Sequence, residues 1–226
     1  MIPTLRSCAA HVFVESVDHP ELSDDDRHHL LKVLRLRDGE AVGVADGRGS
    51  WRITTVTGGA LQPVGEVHTD PAPRPCRIAV AIPKGDRCEW MVQKLTEVGI
   101  TDLWLVHCSR SVVRWDGERG QRQLERLRRV VREAAMQSRR TWLPAIAGPI
   151  SFADVAALPV AVLADPDGGS LADAIAVGDP TVLVGPEGGF TADEEAMVAQ
   201  RVRLAAGVLR VETAAVAAAV LLVNRA

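Results

Sequence analysis

The sequence has no apolar run long enough to cross a bilayer. Its longest, Thr213 to Val223, is about half of the roughly 20 residues that a spanning helix requires. The opening residues Met1-Ile2-Pro3-Thr4-Leu5-Arg6 lack the basic-then-apolar pattern of a secretory signal. These two absences predict a soluble, cytoplasmic protein without a membrane partner. The four cysteines, Cys8, Cys76, Cys88 and Cys108, lie far apart with no CxxC pair. That excludes the common zinc spacings and a disulfide-dense scaffold, and predicts reduced structural thiols and no metal. Internal repeats and low-complexity tracts are missing too, which excludes solenoids and linkers of biased composition. Lysine is nearly absent, so arginine carries the positive charge.

What remains is the composition of a globular protein. Of 226 residues, 47% are apolar and 24% charged, with a formal net charge of −3. Disordered, collagen-like and coiled-coil chains are excluded. The length fits one large domain, or a small one plus a medium one. The charge is unevenly placed. From Arg110 to Arg140, ten arginines face four carboxylates, whereas Ser151 to Gln200 holds nine Asp or Glu and no Lys or Arg. This asymmetry predicts a basic face on an otherwise acidic protein, either a nucleic-acid contact or a solvated arginine-rich helix.

The clearest boundary is Thr69-Asp70-Pro71-Ala72-Pro73-Arg74-Pro75. Three prolines in five residues admit neither a helix nor a central strand, so the segment reads as a linker. Before it, short strands are predicted at Ala10–Val14, Glu40–Ala45 and Trp51–Thr57, with a further run ending near His68. Asp46-Gly47-Arg48-Gly49 reads as a hairpin turn. One helix is expected from Asp24 to Leu36, with Ser23 and Asp26 as its capping box. A small β-barrel with one helix follows from this pattern. After the linker, strands (Arg77–Ile82, Leu103–His107, Val160–Ala164, Thr181–Val184) alternate with helices (Cys88–Val98, Glu118–Ser138, one after Thr191, Glu212–Arg225). Such alternation implies a parallel sheet covered on both faces. Trp90 and Trp104 are expected in the core.

The motif richest in information is Gly185-Pro186-Glu187-Gly188-Gly189, between a strand and a helix capped by Thr191 and Glu194. Open α/β sheets bind ligands at such places. No Gly-Lys-Ser/Thr follows it, and GxGxxG is absent, so it is neither a Walker loop nor a dinucleotide fingerprint. Glu187 beside a helix N-terminus would repel a triphosphate. A ligand with a neutral base and a cationic centre suits it better; the alternative is a tight turn that needs glycine. A second segment, Gly207-Val208-Leu209-Arg210-Val211-Glu212-Thr213-Ala214, puts an arginine at a helix start, where it can neutralise developing negative charge. Glu212 could equally serve the helix N-terminus. The adjacent His28-His29 point about 100° apart on a helix and cannot easily share one ion.

Taken together, KGDR (84–87), QKLTEVG (93–99), EAAMQSRR (133–140), LVGPEGGF (183–190) and VLRVETA (208–214), with HHLLKVLRLRDGE (28–40), resemble the ribosomal RNA small subunit methyltransferase E family. The resemblance spans nearly the whole chain. It implies an α/β fold of the SPOUT type, with a parallel sheet and a C-terminal trefoil knot, behind a small PUA-like β-barrel domain. The implied division is residues 1–70 for that RNA-binding domain, 71–75 for the linker and 76–226 for the methyltransferase domain. The implied activity is methylation of N3 of one uridine in 16S ribosomal RNA of the small subunit, with S-adenosylmethionine as cofactor and no metal, by a homodimer. Three loops would hold the cofactor: Leu163, Ala164 and Asp165; then Val184, Gly185, Pro186, Glu187, Gly188 and Gly189; then Leu204, Ala205, Val208 and Leu209. Arg210 is the catalytic candidate and Glu212 a second one. RNA contacts would fall on Arg6, His29, Arg35, Lys84, Arg87, Arg139 and Arg140. Two features are atypical. Leu204-Ala205-Ala206 replaces the family's Leu-Gly-Pro, and Ser7-Cys8-Ala9-Ala10-His11 intervenes after Arg6. A SPOUT enzyme acting on another RNA position, or a non-catalytic assembly factor, are the alternatives.

Overall fold

The computed structural model describes residues 4–225, which divide into two compact units. The first unit comprises the chain up to Pro73 together with Arg132–Leu143. That second stretch comes from the part of the chain that the sequence assigns to the methyltransferase domain. The unit is built on a four-stranded sheet of β1 (Ala10–Phe13), β2 (Ala41–Ala45), β3 (Ser50–Thr57) and β4 (Ala60–Thr69), in that spatial order. β1 runs parallel to β2 and the other pairs are antiparallel. The β2–β3 turn forms where expected. The Asp46 carboxylate accepts the Arg48 and Ser50 N–H groups at 2.7 and 3.0 Å, with Gly47 and Gly49 at positive φ.

The predicted helix is α1 (Asp24–His28) continued by a wider π-type turn, His29–Val33. Ser23 caps it by accepting the Asp26 N–H, but the capping box is only half made. The Asp26 carboxylate faces Arg132 at 2.9 Å instead, and Arg132 also donates to the Phe13 carbonyl at 2.8 Å. The sheet and the helix bury Val12, Leu30, Val42, Val44 and Val56 together.

His11, on β1, is 4% exposed. Its Nε2 donates to the Arg140 carbonyl at 2.9 Å, and its buried Nδ1 has no hydrogen-bond partner among the described residues. Burial drives its pKa down to about 4, so the unfolded chain takes up the imidazole proton first as the pH falls. The resulting stability is full above about pH 6.5 and is lost progressively toward pH 4, on the order of 3 kcal/mol. A His11→Gln variant is expected to lose this pH dependence. Urea midpoints measured at pH 7.5 and pH 5 check it; an equal acid loss in both proteins would refute it.

The second unit comprises Arg74–Val131 and Pro144 onward. Its strands are β5 (Arg77–Ala81), β6 (Asp102–His107), β7 (Ala145–Ser151), β8 (Ala161–Ser170), β9 (Thr181–Val184) and β10 (Gln200–Arg203). They form one all-parallel sheet in the order β10-β8-β9-β5-β6-β7. Its helices are α2 (Arg87–Val98), α3 (Gly117–Gln137), whose residues from Arg132 on belong to the first unit, α4 (Phe152–Ala156), α5 (Leu171–Val177), α6 (Ala192–Ala196) and α7 (Val211–Val223). β5 is buried on both faces, as a central parallel strand must be. α7 meets α2 and β5 through a run of small side chains, with Ala215, Ala218 and Ala219 fully buried.

Trp90 departs from expectation: it is 46% exposed. The inward stripe of α2 is taken by Cys88, Met91, Val92 and Leu95, and Trp90 falls off that stripe. Trp104 packs half-buried against the cluster around Ala79, Val106 and Phe152. The four cysteines are free and buried, and burial pushes the Cys88 and Cys108 thiols up to about 12. Among the described residues no helix is long and apolar enough to cross a membrane, and no cluster of His, Cys, Asp and Glu is suited to a metal.

Candidate active site

Three loops at one end of the sheet enclose a cavity of about 440 Å³, within the range of small-ligand sites. They are the irregular middle of β8 and the loops that follow β9 and β10.

The loop after β9 is held at several points. The Gly189 N–H returns to the Pro186 carbonyl at 2.8 Å, with Gly189 at φ +70°. Arg110 donates to the carbonyls of Gly188 and Phe190, both at 2.9 Å. The loop then enters α6 through a complete capping box of Thr191 and Glu194. The other Glu194 oxygen accepts the Ser109 N–H at 2.7 Å. Burial acts to raise the Glu194 carboxyl, but the hydrogen bonds from Ser109 and Thr191 outweigh it and keep its pKa below the usual range. At Gly185 an added Cβ would lie 2.9 to 3.1 Å from three Phe190 ring atoms. Phe190 is backed in turn by Phe152, ring centroids 5.5 Å apart.

The loop within β8 is anchored by charge. Arg201 bridges Asp165 at 3.1 Å and Glu195 at 3.0 Å. The loop after β10 runs from Leu204 to Arg210 and ends at the first turn of α7. Ala205 is not at positive φ, so its methyl group adds no left-handed backbone strain.

The cavity brings together most of the cofactor residues expected from the sequence. Ala164, Asp165, Val184, Gly185, Pro186 and Glu187 line it, as do Gly189, Leu204, Ala205, Val208 and Leu209. Leu163 does not; it is 1% exposed and packs in the core with Leu183. Gly188 does not either, although its carbonyl anchors Arg110. Pro166, Phe190, Gly207, Val211 and Ala214 line the cavity without having been expected. Phe190 was legible in principle, as the next residue of the LVGPEGGF motif.

Arg210 lines the cavity, is exposed, and has no ion pair among the described residues. Glu212 does not line it. The residue is 7% exposed, with its Oε2 3.6 Å from Arg87 and without a hydrogen bond among the described residues. Arg87 was expected to contact RNA, yet its guanidinium joins Glu187 at 3.3 Å to Glu212 and donates to the Lys84 carbonyl at 3.2 Å. One arginine thus ties the start of α2 to the cavity loop and to α7. Among the other expected RNA contacts, Arg6, His29, Arg35 and Lys84 are exposed. Arg139 is half-buried and bonded to the Cys8 carbonyl at 2.9 Å, and Arg140 is half-buried, its own carbonyl taken by His11.

A parallel α/β sheet carrying a three-loop cavity, joined to a separate small sheet unit, defines the class, and the comparisons agree. The family model for an RNA methyltransferase domain matches residues 70–223, and that for an RNA methyltransferase PUA domain matches residues 22–60. The ribosomal RNA small subunit methyltransferase E of Mycobacterium bovis is 35% identical over 214 residues, covering 86% of this chain and 82% of that one. Its namesake from Synechocystis is 33% identical over 208 residues, covering 83% and 67%. The crystal structure of a ribosomal RNA small subunit methyltransferase E from Neisseria gonorrhoeae, bound to S-adenosyl methionine, superposes with a TM-score of 0.76 at 27% identity, covering 93% and 94% of the two chains. The chain belongs to the ribosomal RNA small subunit methyltransferase E family.

Proposed function

We propose that this protein methylates N3 of a specific uridine in 16S ribosomal RNA of the small subunit, using S-adenosylmethionine, as a cytoplasmic homodimer. The observation that carries the reading is the three-loop cavity with the unpaired Arg210 at its edge. The proposed division of labour is residues 1–70 as a PUA-like barrel that holds RNA, 71–75 as the joint and 76–226 as the methyltransferase domain with its trefoil knot.

The residues present fit the cofactor. Gly185 leaves space beside Phe190 that a Cβ would fill, and the wall combines Val208, Leu209 and Val211 with loop backbone. Asp165 and Glu187 add two carboxylates to the wall, each shared with an arginine outside the cavity lining. When bound, the cofactor supplies a methyl group already activated by its sulfonium charge, so no metal is called for. The protein must then orient the base and stabilise its charge. Uracil N3 carries a proton at neutral pH and becomes a nucleophile only as the anion, once that proton has passed to solvent water. Arg210 stabilises that anion by facing a carbonyl oxygen of the base. Holding the two reactants in line supplies much of the remaining rate.

Arg87 acts in this scheme by positioning Glu187 and the start of α7 through Glu212. An Arg87→Leu variant leaves the buried Glu212 charge without its cation. We expect it to weaken cofactor binding at least about tenfold, while the salt dependence of RNA binding stays at its wild-type slope. A slope reduced by about one would make Arg87 a phosphate contact instead.

The deciding experiment is methyl transfer from labelled S-adenosylmethionine to small ribosomal subunits lacking the mark, followed by nucleoside mass spectrometry. N3-methyluridine in 16S RNA is the expected product. Label in another nucleoside overturns the substrate, and absence of both transfer and cofactor binding overturns the enzymatic reading.

A further inference from the structure

Within the second unit, α3 carries a line of arginines that neither the cavity nor the core uses. Arg119, Arg122, Arg126 and Arg129 recur at intervals of three, four and three residues, which puts them on one face of the helix. All four are exposed. At 1.5 Å per residue the line is about 15 Å long, enough for a run of consecutive backbone phosphates. Internal pairing accounts for two of the four charges. Arg122 has the exposed Glu118 at 3.3 Å and Arg126 has Glu89 at 2.8 Å. Arg119 and Arg129 have no ion pair among the described residues. Packing does not require the face either, since α3 buries Gly120 and Leu127 on another side.

The position of the line matters as much as its charge. Glu89, which meets Arg126, lies in the first turn of α2, two residues after Arg87. Arg87 in turn reaches Glu187 in the cavity loop. On the other side, Arg110 bonds that same loop at Gly188 and Phe190, and the chain runs on from it into α3. Arg126 of the line is therefore tied to the cavity loop through the first turn of α2, by way of Glu89 and Arg87.

We propose that the Arg119–Arg122–Arg126–Arg129 face of α3 is a docking surface for the phosphate backbone of the RNA flanking the target base. This rests on the RNA methyltransferase reading above and adds to it the path of the substrate. Arginine suits the role because its planar guanidinium pairs phosphate oxygens bidentately. Contacts of this kind fix the register of the RNA without reading its sequence.

The test is the triple variant Arg119→Gln, Arg122→Gln, Arg129→Gln, which keeps Arg126 on Glu89. Small ribosomal subunits lacking the mark serve as the probe. Each lost phosphate contact removes about 0.7 to 0.9 from the slope of log affinity against log salt. The expected slope is therefore shallower by about two to three, with KM for the subunit raised at least about tenfold at 50 mM salt. Cofactor affinity, measured by calorimetry, is expected to stay at the wild-type value, which shows that the variant is folded. A variant with wild-type slope and KM overturns the proposal and leaves the methyltransferase reading intact. Unchanged RNA binding with a changed oligomeric state assigns the face to a protein contact and also overturns it. If the wild-type protein itself does not bind or methylate the subunit, the functional reading fails first.

Discussion

Replacing Arg210 with alanine is expected to lower kcat for methyl transfer by about 10²- to 10³-fold, the usual effect of removing one preorganised donor from a developing oxyanion. Arg210 sits between the last cavity loop and α7, is exposed, and has no carboxylate partner among the described residues. Its charge is therefore free for a ligand. The loss should fall on kcat more than on cofactor affinity, because the uracil anion exists only on the way to the transition state. Arg210→Lys keeps the charge but loses the planar fork, and should recover part of the rate. Single-turnover transfer, with cofactor affinity measured separately, distinguishes these effects. An alanine variant within about twofold of wild type would remove Arg210 from the mechanism.

A Gly185→Ala substitution is expected to weaken cofactor binding by at least about tenfold and to lower Tm by about 2 to 8 °C. The added Cβ lies 2.9 Å from Phe190 Cζ and only slightly farther from two more ring atoms. Phe190 cannot retreat freely, because Phe152 stands behind it and its carbonyl is tied to Arg110. The strain therefore passes to the cavity loop, whose backbone shapes the wall. The conflict here is one of space alone, because Gly185 does not adopt a positive φ. Calorimetric titration and a thermal melt read both effects. Wild-type affinity with a lowered Tm would mean that the loop shifts away from the cavity and that Gly185 does not shape the ligand wall.

The acid sensitivity expected from His11 and the Arg87 variant concern deeper layers than these two, and neither was legible in the chain. His11 falls in a segment that reads simply as a strand. Its depressed pKa arises because packing of the first unit buries the ring and leaves Nδ1 without a hydrogen-bond partner among the described residues. Arg87 reads as a basic residue of an exposed loop. It becomes a bridge only because β5, β9 and the segment leading to α7 end near one another.

Several elements could be read from the chain because their signals are local. The β2–β3 turn, the capping box of α6 and the glycine that closes α2 each depend on a few neighbouring residues. The alternation of apolar runs and helical stretches was enough to imply a parallel sheet. Edge strands were harder. β10 is Gln-Arg-Val-Arg, with only Val202 buried, and β7 contains Gly148 and Pro149, which read as a turn. Both lie at sheet edges, where a strand is stabilised by pairing to one neighbour rather than by its own apolar pattern. The extension of β8 through Asp165-Pro166-Asp167-Gly168-Gly169 has the same origin. A Cβ at Gly168 would come 2.6 Å from the Val202 backbone nitrogen, a close approach that no residue near Gly168 in sequence announces.

The sequence by itself determined the two compositional halves, the parallel α/β character of the second half, and the motif segments that carry the family's chemistry. These follow from hydrophobic periodicity, caps and ordered motifs, all encoded within a few residues of one another. Tertiary structure alone decided three things: that Arg132–Leu143 packs with the first unit, that Arg87 binds Glu187 and Glu212, and that Glu212 stands outside the cavity wall. Each depends on partners 100 to 125 residues away. Charge pairing at such separations is set by how packed elements bring side chains together, and a single sequence carries no local signal of it.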